Sequence, residues 1–408
     1  MKCRFCQHEL KHEFIDLVNS PPSNSFLTEE QLNEPESFYP LKLFVCENCW
    51  LVQIDEYKQA DEIFSKNYAY FSSYSTIWLE HARQYADMIT EKIGLTGSSF
   101  VIEIASNDGY LLQYFQQKKI PCLGIEPSEN TADAAKQKGI PVMIDFFGER
   151  LATQLAAEGK KADLLIGNNV LAHVPDINDF VRGLKIALKP GGVITMEFPH
   201  LMRLVEQNQF DTIYHEHFSY YSLHTVKRIF IAHGLEIFDS ESLSTHGGSL
   251  RIYAKHQEDT SHVRYASVAA MENEEIRRGM LTPEYYRSFQ QKADEVKYSL
   301  VSFLIEQRRA GKKVTAYGAA AKGNTLLNYC GIKKDLILFV ADASPYKQGK
   351  YLPGSHIPVV NEEMILETKS NFILILPWNI KDEIMSQLSY IKKWGAKFVI
   401  PIPVLEIC

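Results

Sequence analysis

The sequence predicts an α/β protein in which two doubly wound sheets follow a small amino-terminal module, and three observations predict it. Between Phe100 and Phe198 short apolar runs alternate with amphipathic helical patterns, as in a parallel sheet covered on both faces. Between Lys313 and Ile402 the alternation recurs on a smaller scale. Ahead of both, four of the seven cysteines crowd into the first 49 residues. A chain of 408 residues suits two to three domains at about 150 residues each. Its 45% hydrophobic and 23% charged residues exclude a disordered or fibrous chain. A net charge of −7 excludes a nucleic-acid-coating role, so an anionic ligand must be met by local cations. No apolar run has the length of a membrane span, and Met1 to Glu9 lacks the apolar core of a signal peptide. The chain is expected in the cytoplasm, with neither nucleic acid nor membrane as partner.

Cys3-Arg-Phe-Cys6 and Cys46-Glu-Asn-Cys49 form two C-x2-C pairs separated by 39 residues. Two intervening residues let both thiolates of a turn face one ion, and two such turns complete a tetrahedron. Cys3, Cys6, Cys46 and Cys49 are therefore expected to bind a structural zinc ion, with no position left open for catalysis. A redox C-x-x-C would not account for the second pair, and an iron–sulfur centre has no further signature here. The intervening segment, with Pro21-Pro22, is expected as loops and short strands. Cys122 and Cys330 read as buried small hydrophobes.

In the central region the expected strands are 100–105, 121–126, 142–145, 162–167 and 193–198. Helices are expected over 110–119, 130–138 and 177–188. The turn Glu103-x-Ala105-x-Asn107-x-Gly109 has one glycine where a dinucleotide fingerprint has three, which disfavours close approach of a pyrophosphate. Glu126 ends the second strand, where a carboxylate can accept from both hydroxyls of a ribose. A helix over 223–233 and strands over 235–239 and 249–254 then predict a terminal antiparallel hairpin. That hairpin is foreign to the NAD fold. With Leu188-Lys-Pro-Gly-Gly192 it looks like the class I methyltransferases that use S-adenosylmethionine.

Further segments make the resemblance specific. They are Glu103-Ile-Ala-Ser-Asn-Asp-Gly-Tyr-Leu-Leu112, Gly124-Ile-Glu-Pro-Ser128, Asn168-Asn-Val-Leu-Ala-His-Val174, Tyr214-His-Glu-His-Phe-Ser219, His246-Gly-Gly-Ser-Leu-Arg251 and Ala319-Ala-Ala-Lys-Gly-Asn-Thr325. With the cysteine pairs, the whole chain resembles the sugar C-methyltransferases that act on nucleotide-linked 4-keto deoxysugars. The resemblance implies a zinc module over 1–65, a methyltransferase core over 66–255, a connector over 256–282 and a Rossmann-like nucleotide-sugar domain over 283–408. It implies S-adenosylmethionine held by Glu103, Ala105, Asn107, Gly109, Glu126 and Asn168.

Methyl addition to carbon needs a base beside the proton of a carbon next to a ketone, and donors for the developing oxyanion. Tyr214-His215-Glu216-His217, just past the fifth strand, offers a phenol, a carboxylate and two imidazoles. The resemblance assigns the base to His217, with Tyr214 and Glu216 as helpers and His173 and Tyr68 also in the active site. His173 is the alternative base, and His215 reads as structural. Tyr70 and Tyr74 read as core.

Beyond a long helix over 283–309, strands are expected at 313–317, 336–341, 372–376 and 398–402. Lys322 opens a helix, whose N-terminus favours anions. The resemblance places the nucleotide there, with Lys322 and Asn324 as substrate-binding residues. An NAD site is the rival, because Asp342 ends the next strand. The expected reaction is C-methylation at C3 of a nucleotide-linked 4-keto-6-deoxy sugar, dTDP-linked by resemblance. O- or N-methylation and a non-catalytic scaffold are the alternatives. A monomer or small oligomer is expected.

Overall fold

The structure, a computed structural model, describes residues 1–57 and 70–408. Tyr68 lies outside the described residues. The chain divides into two compact units, each drawing on several stretches of sequence. The first comprises Met1–Lys11, Cys46–His200 and Phe218–Leu281; the second comprises His12–Val45, Leu201–His217 and Thr282–Cys408.

The first unit is built on a seven-stranded mixed sheet. Its spatial order is Leu235–Leu243, Ser249–His256, Leu188–Pro199, Ala162–Asn168, Val101–Ile104, Cys122–Ile125 and Val142–Met143. The last five strands are parallel, and the hairpin Leu235–Leu243/Ser249–His256 joins Leu188–Pro199 antiparallel. This is the class I methyltransferase sheet with its terminal hairpin. Val101–Ile104 and Ala162–Asn168 are fully or largely buried runs, as a sheet covered on both faces demands. The strand order reverses between these two, and ligands of such sheets bind outside the carboxyl ends at that point.

Several elements were not visible from local patterns. The helix Thr76–Lys92 starts at Ser75, whose hydroxyl accepts from Trp78 N, and buries Trp78, Ala82, Tyr85, Ala86 and Ile89 along one stripe. The helix Glu149–Ala157 fills the crossover between the third and fourth strands. Residues 256–282, expected as a connector, carry the helix Ala266–Arg277. Its Glu275, fully buried, accepts from Leu223 N and His224 N and bonds His200, so one carboxylate caps the helix Leu223–Ala232. The hairpin strands extend to Leu243 and from Ser249, leaving a five-residue loop rather than nine. Tyr70 and Tyr74, expected as core, are exposed: residues 72–74 form a single 3-10 turn, so the aromatic residues share no helical face.

The second unit has a six-stranded sheet in the order Val359–Val360, Val340–Ala341, Val314–Tyr317, Phe372–Ile375, Lys397–Ile400 and Glu406–Ile407. All pairs are parallel except the last. The strand expected over 336–341 shrinks to two residues, and the long helix is broken at Ser288 into Pro283–Arg287 and Phe289–Arg309. The segment between the cysteine pairs forms a hairpin, His12–Ser20 with Tyr39–Val45. Phe14 of that hairpin stacks on Phe289 at 4.8 Å and meets Tyr286 edge-on. Burying such aromatic surface is worth a few kcal/mol per ring, which explains why residues 12–45 join this unit.

Candidate functional site

At the start of the first unit, the Sγ atoms of Cys3, Cys6, Cys46 and Cys49 lie within 4.8 Å of one another. Cys3–Cys49 is 3.5 Å, and Cys6 is 3.6 Å from both Cys46 and Cys49. Disulfides need about 2.05 Å, whereas a tetrahedral ion with Zn–S of about 2.3 Å separates its sulfurs by ~3.8 Å. The donor set fits zinc. Gln53 Nε2 donates to Cys3 Sγ at 3.2 Å, an outer hydrogen bond of the kind that orients a metal ligand. Cys122 and Cys330 are buried, as expected.

The carboxyl edge of the seven-stranded sheet is marked by acceptors without donors. Glu103 is 1% exposed, and neither carboxylate oxygen has a hydrogen-bond partner among the described residues. Burial drives its pKa well above the ordinary carboxylate value, against the nearby Tyr110 hydroxyl, which favours the charged form. Asn168 Oδ1 and Asp108 Oδ1 are likewise buried without a partner among the described residues. A buried acceptor left unpaired costs about 1–3 kcal/mol, more if charged. Four such atoms at one sheet edge call for a ligand rich in donors or positive charge. S-adenosylmethionine, with an α-ammonium, a sulfonium and ribose hydroxyls, has that chemistry.

The turn itself is left-handed at three positions: Ala105 (φ 53°), Asn107 (φ 50°) and Gly109 (φ 76°). At Gly109 a Cβ would stand 2.3 Å from Ile140 Cδ1, so glycine is required by packing as well as by φ. Asn107 uses its side chain on the protein: Oδ1 accepts from Ser72 N and Nδ2 donates to Tyr70 O. Glu126 Oε2 accepts from Asn107 N (2.8 Å) and Oε1 from Ser128 N (2.9 Å). Burial raises its pKa against those two bonds. Each oxygen retains acceptor capacity, as a ribose diol requires.

A second group on this unit was given no role by the sequence, although Asn169, His246 and Arg251 lie in segments that carry the resemblance. Register places Arg251 opposite Glu197, and Arg251 Nη2 donates to Glu197 at 2.7 Å, with His81 at 2.9 Å and the Thr245 hydroxyl at 2.8 Å. Burial pushes Glu197 up, but His81 and Arg251 outweigh it and hold the carboxyl at about 2. The network ties the hairpin loop to the sheet edge. In that loop His246, left-handed at φ 53°, bonds Asn169, left-handed at φ 55°, at 3.0 Å.

The Tyr214–His217 segment belongs to the second unit. His217 Nδ1 lies 2.9 Å from Thr212 O. A carbonyl only accepts, so Nδ1 carries the proton, and in the neutral ring Nε2 is the basic nitrogen. The Tyr214 ring lies over the His217 ring, 4.0 Å between centroids. Glu216 accepts from Asn24 Nδ2 at 2.7 Å. His215 is buried and donates from Nε2 to Pro40 O at 3.2 Å. His173 ends the 3-10 turn Leu171–His173 in the first unit.

Along the carboxyl edge of the six-stranded sheet, Lys322 Nζ donates to Asn379 Oδ1 (2.7 Å) and lies 4.9 Å from the Trp378 ring centre. Burial lowers its pKa, and Asp211 opposes that shift. Asp211, fully buried, accepts from Trp378 Nε1 at 2.7 Å; burial pushes its carboxyl up to about 6 despite Lys322 and Trp378. Asp342 Oδ2 accepts from Ala319 N and Oδ1 from Ser344 N, and Lys347 Nζ stands 3.6 Å away. Asn324 is buried, with Nδ2 donating to Ser23 O at 2.5 Å. No side chain caps the helix Ala321–Cys330, whose N-cap is Ala320.

Three families match along the chain: a zinc binding domain over residues 3–64, a methyltransferase domain over 78–240 and a C-methyltransferase C-terminal domain over 244–403. The protein is an S-adenosylmethionine-dependent C-methyltransferase. It belongs to the family of the C-methyltransferase NovU of Streptomyces niveus, to which it is 33% identical over 402 residues, 98% of this chain and 95% of that one. A magnesium protoporphyrin IX methyltransferase from Synechocystis PCC 6803 with bound SAM matches at 17% identity and a TM-score of 0.33, covering 44% of this chain and 80% of that one. The PH0226 protein of Pyrococcus horikoshii matches at 14% identity and a TM-score of 0.38, covering 46% and 95%. Among the described residues no helix is long and apolar enough to cross a membrane.

Proposed function

We propose that the enzyme methylates C3 of a nucleotide-linked 4-keto-6-deoxy sugar through an enolate, with His217 as the base. The observation that carries this reading is the tautomer of His217. Thr212 O holds the proton on Nδ1, so in this reading Nε2 is the nitrogen that takes a proton from carbon. In this reading Nε2 removes the C3 proton beside the ketone, Tyr214 donates to the oxygen that gains charge, and Glu216, held by Asn24, contacts the sugar. By the family resemblance, His173 and Tyr68 also serve the reaction. S-adenosylmethionine, when bound, supplies the methyl group. Glu103 faces its positive charge, Glu126 its ribose, and Ala105, Asn107, Gly109 and Asn168 shape the rest of its pocket. Cys3, Cys6, Cys46 and Cys49 hold one structural zinc ion. The nucleotide diphosphate sits at the uncapped helix start beside Lys322 and Lys347, with Asn324 shaping that turn.

Deuterium exchange tests the base. In deuterated water, with a non-reactive cofactor analogue bound, the wild type should wash deuterium into C3. His217→Ala should not, while still binding both ligands. Methylation of a substrate without the ketone would remove the enolate step, and full exchange by His217→Ala would move the base to His173.

A further inference from the structure

We propose that Arg4 is a positioning residue that couples the metal site to the active-site loop carrying His173. The inference rests on the reading above, that His173 lies in the active site. Arg4 stands between the ligands Cys3 and Cys6, so the metal turn fixes its backbone. Its N–H donates to Gln53 Oε1 at 2.8 Å, and the same amide donates from Nε2 to Cys3 Sγ. The guanidinium then reaches two carbonyls. Nη1 donates to Pro175 O at 2.6 Å and Nη2 to Ile54 O at 2.7 Å. Its face lies over the Phe218 ring, 5.4 Å from the centroid. The helix that follows the loop answers in kind: Asn178 Nδ2 donates to Arg4 O (3.1 Å) and Phe5 O (3.0 Å), and Asn178 Oδ1 accepts from His233 Nε2 at 2.8 Å.

Pro175 follows His173 by two residues and has no N–H, so its carbonyl is the backbone group through which that position can be held. The turn ahead of it spans only Leu171–His173, and the helix beyond begins at Ile177. Arg4 therefore braces the loop between that turn and the helix, and Asn178 ties the first turn of the helix to the metal turn. The second metal turn is anchored separately, by Thr225 Oγ1 on Cys49 O (3.1 Å) and by Arg228 on Asn48 O. An ion that joins the two turns thus places Arg4 against the loop after the fourth core strand. Lysine cannot replace Arg4, because a point charge does not span two carbonyls as a planar fork does.

The test uses the full-length, metal-loaded enzyme with Arg4→Lys and Arg4→Ala. Both variants should keep one equivalent of zinc by elemental analysis and unchanged KM for S-adenosylmethionine. Both should lose at least about tenfold in kcat, the scale of a misplaced catalytic group. Amide hydrogen exchange over 171–178 should rise at least about tenfold, while strand 101–104 stays protected. Chelating zinc from the wild type should raise exchange over the same peptide. Millimolar methylguanidinium should restore kcat to Arg4→Ala but not to Arg4→Lys. Unchanged exchange over 171–178 in both variants overturns the proposal, as does a uniform loss of protection across the sheet. If the loop loosens and kcat holds, His173→Asn separates the cases. An inactive His173→Asn then overturns the role of Arg4, and a fully active one overturns the placement of His173 instead.

Discussion

The two sheets use one device at their carboxyl edges and surround it with different polar groups. In each, an acidic residue ends a strand next to the first-turn strand and accepts one N–H from that turn and one from its own residue i+2. Glu126 takes Asn107 N and Ser128 N; Asp342 takes Ala319 N and Ser344 N. Near Glu126 the edge carries buried acceptor oxygens without a partner among the described residues, those of Glu103 above all. Around Asp342 the sheet edge brings cations, Lys347 at 3.6 Å and Lys322 at the helix start. On the proposed reading, a similar backbone layout serves a cationic ligand in one unit and an anionic one in the other. The strand-end carboxylate alone does not tell the two apart. The charges around it do, because in a low-dielectric edge an unpaired charge is the costliest thing present.

Removing the charge of Glu103 should have the largest effect. Glu103→Gln should weaken S-adenosylmethionine by about 3–5 kcal/mol, the cost of breaking a buried charge pair, measured by calorimetry. The same change should stabilise the ligand-free protein. Burial raises the Glu103 pKa above 4.5, so folding favours its protonated form. The ligand-free wild type should then lose stability as pH rises from about 4.5 through the raised value, and the Gln variant should not. Cofactor affinity untouched by Glu103→Gln would break the contrast between the edges.

Asp211 sets the next effect, in the second unit. Its pKa is raised from 3.8 to about 6, so the protonated acid is the form folding favours. Stability from this group is complete below pH 3.8 and is lost as pH rises to about 6. A shift of 6 − 3.8, roughly 2 units, amounts to about 3 kcal/mol at about 1.4 kcal/mol per unit. Urea titrations of Asp211→Asn should lack that slope, and an equal slope in the variant would reassign it.

Lys322→Ala should weaken a nucleoside diphosphate by about 1.5–3 kcal/mol, the scale of hydrogen bonds to charged groups, and leave cofactor affinity alone. Isothermal titration with each ligand separates the two. Loss of cofactor binding instead would reverse the assignment of the edges. Lys347→Met should cost the same diphosphate about 1 kcal/mol, because Lys347 already shares its charge with Asp342 and donates to Ala319 O. A larger loss from Lys347 than from Lys322 would move the anion toward Asp342.

What the sequence determined by itself was local or periodic. The C-x2-C turns, the alternation of strand and helix, the single glycine of the first turn, and Glu126 and Asp342 at strand ends all follow from spacing over a few residues. The long-range assembly was decided elsewhere. Residues 12–45 sit between two metal-binding turns, yet they belong to the second unit, because Phe14 finds Tyr286 and Phe289 there. The loop Tyr214–His217 follows the fifth strand of the first sheet but is also part of the second unit. A helix appears in the polar stretch after residue 256, with Glu275 turned inward to cap another helix. The unpaired oxygens of Glu103 and the grip of Arg4 on Pro175 depend on which groups from distant segments arrive within hydrogen-bonding distance and which do not. Hydrogen-bond pairing and desolvation are properties of the packed edge, and no window of sequence contains both partners.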